Sequence, residues 1–321
     1  MNFIQNSMGK YDGFCIIKAV EKKMTAKGAP YLSLTLSDSS GDIDAKLWDY
    51  HEKPGVEFKT YDFVKVRGDY VPFNNDRQFR IDMMRHVKDE DGVSIDDYVP
   101  SAVLPGEMMY DEVQKTVFDF RDEEIRKLVM VILEKYRERL IYWPAAKALH
   151  HAIRGGLLMH TLTMLRLANS VCDIYTYLNR DILLAGVILH DIAKIREIDA
   201  ASTGVPGEYT VPGNLIGHLV MGAIEIDETG KEIGVSEDTV MLLEHMLISH
   251  HGIPEYGAAK YPMTLEAEAL SMIDDLDAKM YEFSNAIFKV EPGEFTDKQK
   301  MLDNRALYNH GRSNDGDVNL I

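Results

Sequence analysis

Cysteine is scarce in this chain: Cys15 and Cys172 are the only two in 321 residues. So few thiols give no sign of a disulfide framework, and we expect a protein of the reducing cytoplasm. No apolar run is long enough to cross a bilayer, and residues 1–10 lack the basic-then-apolar order of a signal peptide, so we expect no membrane partner. The Gly-Lys pairs at Gly9 and Gly230 lack the other residues of a P-loop.

Positive charge is also scarce, with 35 Lys and Arg against 52 Asp and Glu, a net charge of −17. This acidity weighs against nucleic acid as a partner. The charge is uneven, however. Residues 1–98 hold 14 basic and 17 acidic residues, whereas residues 99–321 hold 21 and 35. A local positive channel therefore remains compatible with the composition.

Residues 12–87 are predicted to be β structure. Short alternating or β-rich runs, separated by Gly, Pro, Asn and Asp turns, occupy residues 13–20, 31–36, 43–48, 63–68 and 78–82. Five strands in about 75 residues predict a small barrel, of either the OB or the SH3-like type. The hairpin at residues 34–48 resembles the central hairpin of an OB-fold, a barrel that commonly binds single-stranded oligonucleotides.

The pattern becomes helical from about residue 107. Apolar positions at helical spacing predict helices over residues 122–136, 157–171, 182–195, 238–249 and 265–283. We therefore expect a multi-domain chain with an N-terminal all-β barrel and a C-terminal all-α bundle. The expected boundaries are a barrel at 1–98, a linker at 99–120, a helical domain at 121–303 and a tail at 304–321.

Eight of the eleven histidines fall between His150 and His251. His190 and Asp191 lie in an otherwise apolar run, and burying them is costly unless something such as a divalent metal pairs with them. Further candidate ligands follow at intervals of about one helix plus a loop, so successive helices of a bundle could present them to one centre. The candidate ligands are His160, His190, Asp191, His218, His250, His251 and Asp274. Imidazole and carboxylate together suit Mn, Fe, Co, Ni or Zn.

His160, the His190-Asp191 pair and Asp274 resemble the H…HD…D pattern of the HD-domain metal-dependent phosphohydrolases, an all-helical fold. Lys194 matches the lysine of the HD-x-x-K variant. By the same resemblance, His218, His250 and His251 are the additional ligands of two-metal members, with Mn²⁺ the expected ion. The segment at 273–278 resembles the family's A-D-x-x-D-A helix, in which Asp274 is the ligand, Asp277 supports it and Asp275 is out of register.

Nearly the whole chain resembles the YhaM-type 3′→5′ exoribonucleases, which join an OB-fold to an HD domain. The resemblance rests on the segments at 41–48, 150–161, 213–218, 249–257, 273–279 and 302–307. It implies single-stranded RNA as the substrate and cleavage from the 3′ end; single-stranded DNA as a further substrate and a homo-oligomeric state are left open.

The chemistry of these residues is consistent with phosphodiester hydrolysis. Asp191 has two oxygens that can bridge two ions, and a water between such ions is a nucleophile at neutral pH. Lys194, one helical turn on, could bind a phosphate oxygen; the alternative is a solvated lysine at a helix end. Because adjacent residues on a helix do not share a face, one of His250 and His251 would face away unless the helix ends near Gly252.

The barrel sequence interleaves aromatic and basic residues, which is the pattern of single-strand binding. The candidate substrate contacts in this part of the chain are Tyr31, Lys46, Trp48, Arg67, Tyr70, Phe73 and Arg80. Arg154 and Tyr209 are candidates in the helical part. The alternative is that most of the aromatics are core residues, with Trp48 the first expected inside.

Two other functions fit parts of this pattern. One is an HD nucleotidohydrolase or cyclic-dinucleotide phosphodiesterase, which would have no need of a strand-binding barrel. The other is an RNA-binding protein with a purely structural metal, which would have no need of a lysine facing phosphate. The site residues predict metal-assisted phosphodiester hydrolysis, and the resemblance to the YhaM type implies that the protein is a metal-dependent 3′→5′ exoribonuclease.

Overall fold

The computed structural model describes residues 4, 9–38, 40–51, 57–73, 76–147, 151–314 and 320, apart from the side chains of Phe73 and Asp76. The chain forms two compact units. One comprises Met1–Ser101 with Ala201–Val205, and the other comprises Ala102–Ala200 with Pro206–Ile321.

The first unit contains a closed five-stranded barrel with the strand order β1-β2-β3-β5-β4. Its strands are β1 Lys10–Met24, β2 Pro30–Asp38, β3 Gly41–Trp48, β4 Phe63–Phe73 and β5 Asp76–His86. β3 and β5 pair in parallel and the other pairs are antiparallel. Alternation along β2 places Leu32, Leu34 and Leu36 inside. The predicted OB-like barrel is therefore confirmed.

The second unit is helical and carries a short two-stranded sheet. Its helices are α1 Gly106–Phe118, α2 Glu123–Leu140, α3 Gly156–Ile174, α4 Arg180–Leu189, α5 Lys194–Glu197, α6 Val211–Leu215, α7 His218–Ile233, α8 Glu237–Ser249 and α9 Leu265–Ile287. The sheet pairs β6 Ile198–Ala200 with β7 Pro206–Tyr209. The core lies between α1, α2, α3, α4, α8 and α9. Among the described helices, none combines the length and apolarity of a membrane span.

Two predicted features differ in the structure. The stretch 182–195 is not one helix, because α4 ends at Leu189 and a turn precedes α5. The interval 99–120, expected to be a linker, contains α1, which buries Met109, Tyr110 and Val113 in the helical core. Both differences arise because tertiary packing, and not helical periodicity alone, decides where a helix begins and ends.

Candidate metal centre

Five helices bring the candidate ligands together. His160 lies in α3 and Asp274 in α9, whereas His218 begins α7. The two ligand pairs follow helix ends: His190 caps α4 and is followed by Asp191, and His250 caps α8 and is followed by His251. Because the chain turns at both places, the two side chains of each pair need not point to different sides, as neighbouring residues on a helix do.

Asp191 lies at the centre of the ligand cluster and is 3 % exposed. Its Oδ2 is 3.3 Å from His190 Nε2 and 3.9 Å from His160 Nε2. Its Oδ1 is 3.3 Å from His218 Nε2 and 3.9 Å from His250 Nε2. The two oxygens therefore face two different sets of imidazoles.

Asp274 and His251 extend these two sets. Asp274 Oδ1 lies 3.2 Å from His160 Nε2 and 4.0 Å from His190 Nε2. His251 groups with His218 and His250, with possible ligand atoms within 4.8 Å of one another. We call the set of His160, His190 and Asp274 the first position, and the set of His218, His250 and His251 the second position. Asp191 lies between them.

All five of these imidazoles are held at Nδ1 by an oxygen acceptor. The acceptors are Asp277 Oδ2 for His160 (2.7 Å), the Val187 carbonyl for His190 (2.8 Å), Glu197 Oε1 for His218 (2.9 Å), the Leu247 carbonyl for His250 (2.7 Å) and the Tyr256 carbonyl for His251 (2.9 Å). An acceptor at Nδ1 favours the tautomer with its proton there, which leaves the Nε2 lone pair available to a metal.

Several of these polar atoms are buried without a partner among the residues that the structure describes. They are His190 Nε2, His218 Nε2, His250 Nε2 and Asp191 Oδ1. Buried polar atoms almost always have a hydrogen-bond partner. A cluster of buried nitrogen and oxygen lone pairs without such a partner therefore indicates a cation-binding site. The donor set of imidazoles and carboxylates fits divalent transition metals, and it indicates a divalent-metal site.

Lys194 begins α5 beside this centre, and its Nζ lies 2.6 Å from Asp191 Oδ2. The side chain is buried, so it is not the solvated lysine of the alternative interpretation. Burial lowers the pKa of Lys194, but neighbouring Asp191 outweighs this effect and raises it. Burial raises the pKa of Asp191, yet Lys194 and His190 hold it well below its usual range. The pair is therefore charged in the absence of metal.

His160 lies between two carboxylates of α9. Burial lowers its pKa, but Asp274 and Asp277 raise it to about 10. Asp277 in turn accepts from His151 Nε2 at 3.0 Å. Burial raises the pKa of Asp277, whereas His151 and His160 lower it to about 2. Asp277 therefore remains an anionic acceptor behind His160, as its register in the sequence predicts.

Two residues outside the predicted set of site residues support the ligands. His151 is buried with a positive φ of 53° and contacts Asp277. Glu197 is buried and accepts from His218. The only sequence signal for Glu197 is its position one turn after Lys194, and the contact partner lies 21 residues further along the chain.

The candidate substrate residues of the barrel are divided between its outer surface and its interior. Tyr31 and Trp48 are paired across β2 and β3, with ring centroids 4.6 Å apart, and Trp48 is 44 % exposed. The expectation that Trp48 would be the first aromatic inside is thus wrong, because it follows Lys46 on the outward-facing side of β3. Lys46 is next to Arg80 in the β3–β5 pairing.

The remaining candidates lie elsewhere. Tyr70 packs on Phe79 of the barrel core and donates its hydroxyl to the Ile4 carbonyl. Arg67 is exposed and pairs with Asp12 at 2.7 Å. The backbone of Phe73 ends β4, but its side chain is outside the described part of the chain.

The two candidates of the helical unit are also placed. Arg154 lies over the Tyr142 ring, 5.5 Å from its centroid. Tyr209 ends β7 and is 44 % exposed, next to Thr210, whose backbone N–H donates to the Glu197 carbonyl.

Comparison with known families agrees with this fold and site. The HD domain family model matches residues 157–279, from α3 into α9. A second model, of the TraI_2 family, matches residues 109–181. The helical unit is thus an HD domain, the fold of metal-dependent phosphohydrolases.

The chain is 39 % identical to the 3′-5′ exoribonuclease YhaM of Bacillus licheniformis over 297 residues, 92 % of this chain and 94 % of that protein. It is 37 % identical to YhaM of Bacillus subtilis with the same coverage. The chain belongs to the YhaM family.

Two solved structures are similar to part of this chain. The second OB-fold domain of replication protein A from Methanococcus maripaludis is 21 % identical and matches 27 % of this chain and 94 % of that chain, with a TM-score of 0.22. A replication protein A heterotrimer bound to single-stranded DNA is 19 % identical and matches 28 % of this chain and 67 % of that chain, with the same TM-score.

Proposed function

We propose that this protein is a metal-dependent 3′→5′ exoribonuclease that hydrolyses single-stranded RNA at the centre around Asp191. The observation that carries the proposal is the common arrangement of five imidazoles, each held at Nδ1. Four of them lie with Nε2 3.3–3.9 Å from an oxygen of Asp191, and the fifth, His251, groups with His218 and His250. Membership of the YhaM family supplies the substrate and the polarity, since its named relatives are 3′-5′ exoribonucleases.

The residues suit two divalent ions, with Mn²⁺ the expected metal. His160, His190 and Asp274 would hold one ion, whereas His218, His250 and His251 would hold the other, and Asp191 would bridge them. When bound, such ions lower the pKa of a coordinated water and neutralise the charge of the phosphodiester. Lys194 adds a fixed positive charge beside Asp191, where it can stabilise charge that develops on a phosphate oxygen.

The barrel would hold the RNA strand. Tyr31 and Trp48 form an aromatic pair on its outer surface; Lys46 lies on β3 with Trp48, and Arg80 lies beside Lys46 on β5. Bases stack on aromatic rings whatever their identity, and basic side chains track the phosphates. This surface suits a strand, which favours a polymeric substrate over a small cyclic dinucleotide. DNA cleavage and self-association are left to experiment.

The test uses the full chain with Mn²⁺ and single-stranded RNA labelled at either end, read on a sequencing gel. Cleavage from the 3′ end gives a ladder of shortening products with 5′-labelled RNA and mononucleotide with 3′-labelled RNA. Asp191→Asn should abolish both signals. Asp199→Asn, an exposed aspartate eight residues later, serves as the matched control and should leave them unchanged. Intact RNA with wild-type protein, together with hydrolysis of a cyclic dinucleotide, would refute the proposal.

A further inference from the structure

Two of the five imidazoles are supported by a carboxylate, whereas the other three are supported by a backbone carbonyl. Asp277 supports His160, and Glu197 supports His218. These two histidines lie on opposite sides of Asp191, because His160 faces its Oδ2 and His218 faces its Oδ1. Each position of the centre therefore contains one carboxylate-supported imidazole.

Glu197 holds His218 through two hydrogen bonds to one oxygen. Its Oε1 accepts from the backbone N–H of His218 and from Nδ1–H of the same residue, each at 2.9 Å. Gly217, the N-cap of α7, offers no side chain to the first turn of the helix. Glu197 supplies that acceptor from a distant part of the chain, so one carboxylate fixes both the start of α7 and the orientation of the His218 ring.

The position of Glu197 is itself fixed by its backbone. Its carbonyl accepts from the Thr210 N–H at 2.9 Å. A Cβ on Gly213 would lie only 2.2 Å from that carbonyl oxygen, so the close approach of α6 requires glycine there. Glu197 is 8 % exposed. A buried carboxylate anchored in this way holds the imidazole behind it in one geometry.

We propose that Glu197 is the positioning residue of the second metal position, as Asp277 is of the first, so that the two ions depend on different supporting carboxylates. The inference rests on the two-ion function proposed above. A carboxylate at Nδ1–H increases the basicity of Nε2 and fixes the ring, and loss of such a partner typically weakens metal affinity by about 10–100-fold. Because each carboxylate contacts one imidazole only among the five, the loss should be confined to one position.

The experiment measures Mn²⁺ binding to the full metal-free protein, by calorimetry and by the electron paramagnetic resonance signal of the free ion. Wild-type protein should bind two ions. In Glu197→Ala, one of the two should bind roughly 10–100-fold more weakly and the other should be unchanged. Asp277→Ala should weaken the ion that Glu197→Ala spares. Glu197→Gln keeps an acceptor oxygen, so its loss should be smaller than that of Glu197→Ala.

The matched control is Glu225→Gln in α7, which removes a buried, ion-paired carboxylate that does not contact His218. It should leave both affinities unchanged, and circular dichroism should show that every variant is folded without metal. The inference fails if Glu197→Ala weakens both ions equally or neither, or if Glu225→Gln has the same effect. Those results leave the proposed function standing. A wild-type protein that binds fewer than two ions overturns the inference and the two-ion site on which it rests, whereas the proposed function fails only by the RNA cleavage test.

Discussion

Asp191→Asn should destabilise the metal-free helical unit, because it removes the charge partner of a buried lysine. The Nζ of Lys194 lies 2.6 Å from Asp191 Oδ2, and Asp191 is 3 % exposed. Removing one partner of a buried ion pair typically costs about 3–5 kcal/mol, because the other charge stays buried without its contact partner. Asp274 and Glu197 also raise the pKa of Lys194, but less than Asp191 does, so the loss should lie at the lower end of this range. We therefore expect the free energy of unfolding to fall by that amount, although asparagine keeps nearly the same shape.

The chain provides its own probe for this measurement. It has two tryptophans, and Trp143 is buried in the helical unit with its Nε1 donating to the Lys194 carbonyl at 3.1 Å. Replacing the other, Trp48→Phe, leaves Trp143 as the only indole. Urea unfolding in EDTA, followed by Trp143 fluorescence, then reports the stability of the helical unit alone.

A double-mutant cycle isolates the ion pair from other effects of the substitution. Lys194→Met removes the charge that Asp191→Asn leaves unpaired, so the double variant should be more stable than the sum of the two losses predicts. Coupling between contacting residues is typically about 0.5–3 kcal/mol. A loss below about 1 kcal/mol in Asp191→Asn, or strictly additive losses in the double variant, would refute the argument that this pair is charged and buried without metal.

The other predictions concern metal, RNA and backbone packing. Mn²⁺ at 100 times its dissociation constant should stabilise the wild-type chain in thermal or urea unfolding by about 2.7 kcal/mol for each of the two proposed ions, and Asp191→Asn should lose most of this gain. In the Asp191→Asn background, Trp48→Ala should weaken binding of single-stranded RNA by about 5–150-fold, equivalent to 1–3 kcal/mol of stacking, in fluorescence anisotropy; an unchanged affinity would place the strand elsewhere. Gly213→Ala should weaken binding of one Mn²⁺, because its Cβ displaces the Glu197 carbonyl; two unchanged ions in calorimetry would count against that coupling.

The barrel and most long helices could be predicted from sequence because their residues repeat with the period of the element. Leu32, Leu34 and Leu36 alternate along β2, and apolar residues in α9 recur at helical spacing. The end of α4 could not be predicted, because residues 182–195 remain apolar through the turn after Leu189. That turn allows both His190 and Asp191 to face the same centre.

The candidate ligands were recognisable because His and Asp are chemically unusual in apolar surroundings. Of their supports, only Asp277 was recognisable, through the resemblance to the family's helix motif. Three of the others are backbone carbonyls, which any residue provides. Glu197 looks like an ordinary glutamate at the end of a short helix until His218, 21 residues later, is placed beside it. The prediction that Trp48 lies inside the barrel was wrong, because its position along β3 places the side chain on the outer surface.

The charge of the centre explains how so acidic a domain could act on RNA. Four carboxylates, those of Asp191, Glu197, Asp274 and Asp277, surround one ammonium, that of Lys194. Without metal, His160 is an imidazolium because its pKa is raised to about 10, so these groups sum to −2 and an RNA phosphate is repelled. Metal ligation requires neutral imidazoles, so the protein groups of the loaded centre sum to −3. Two divalent ions, bound as proposed, change the sum to +1. The same acidic residues that disfavour RNA in the metal-free protein thus create, once they have bound metal, a local site that attracts RNA.

Metal should therefore be needed for RNA to reach the centre as well as for hydrolysis. If the 3′ end of a phosphorothioate RNA occupies the centre equally well in EDTA and in Mn²⁺, measured by crosslinking, this account of the charge is wrong.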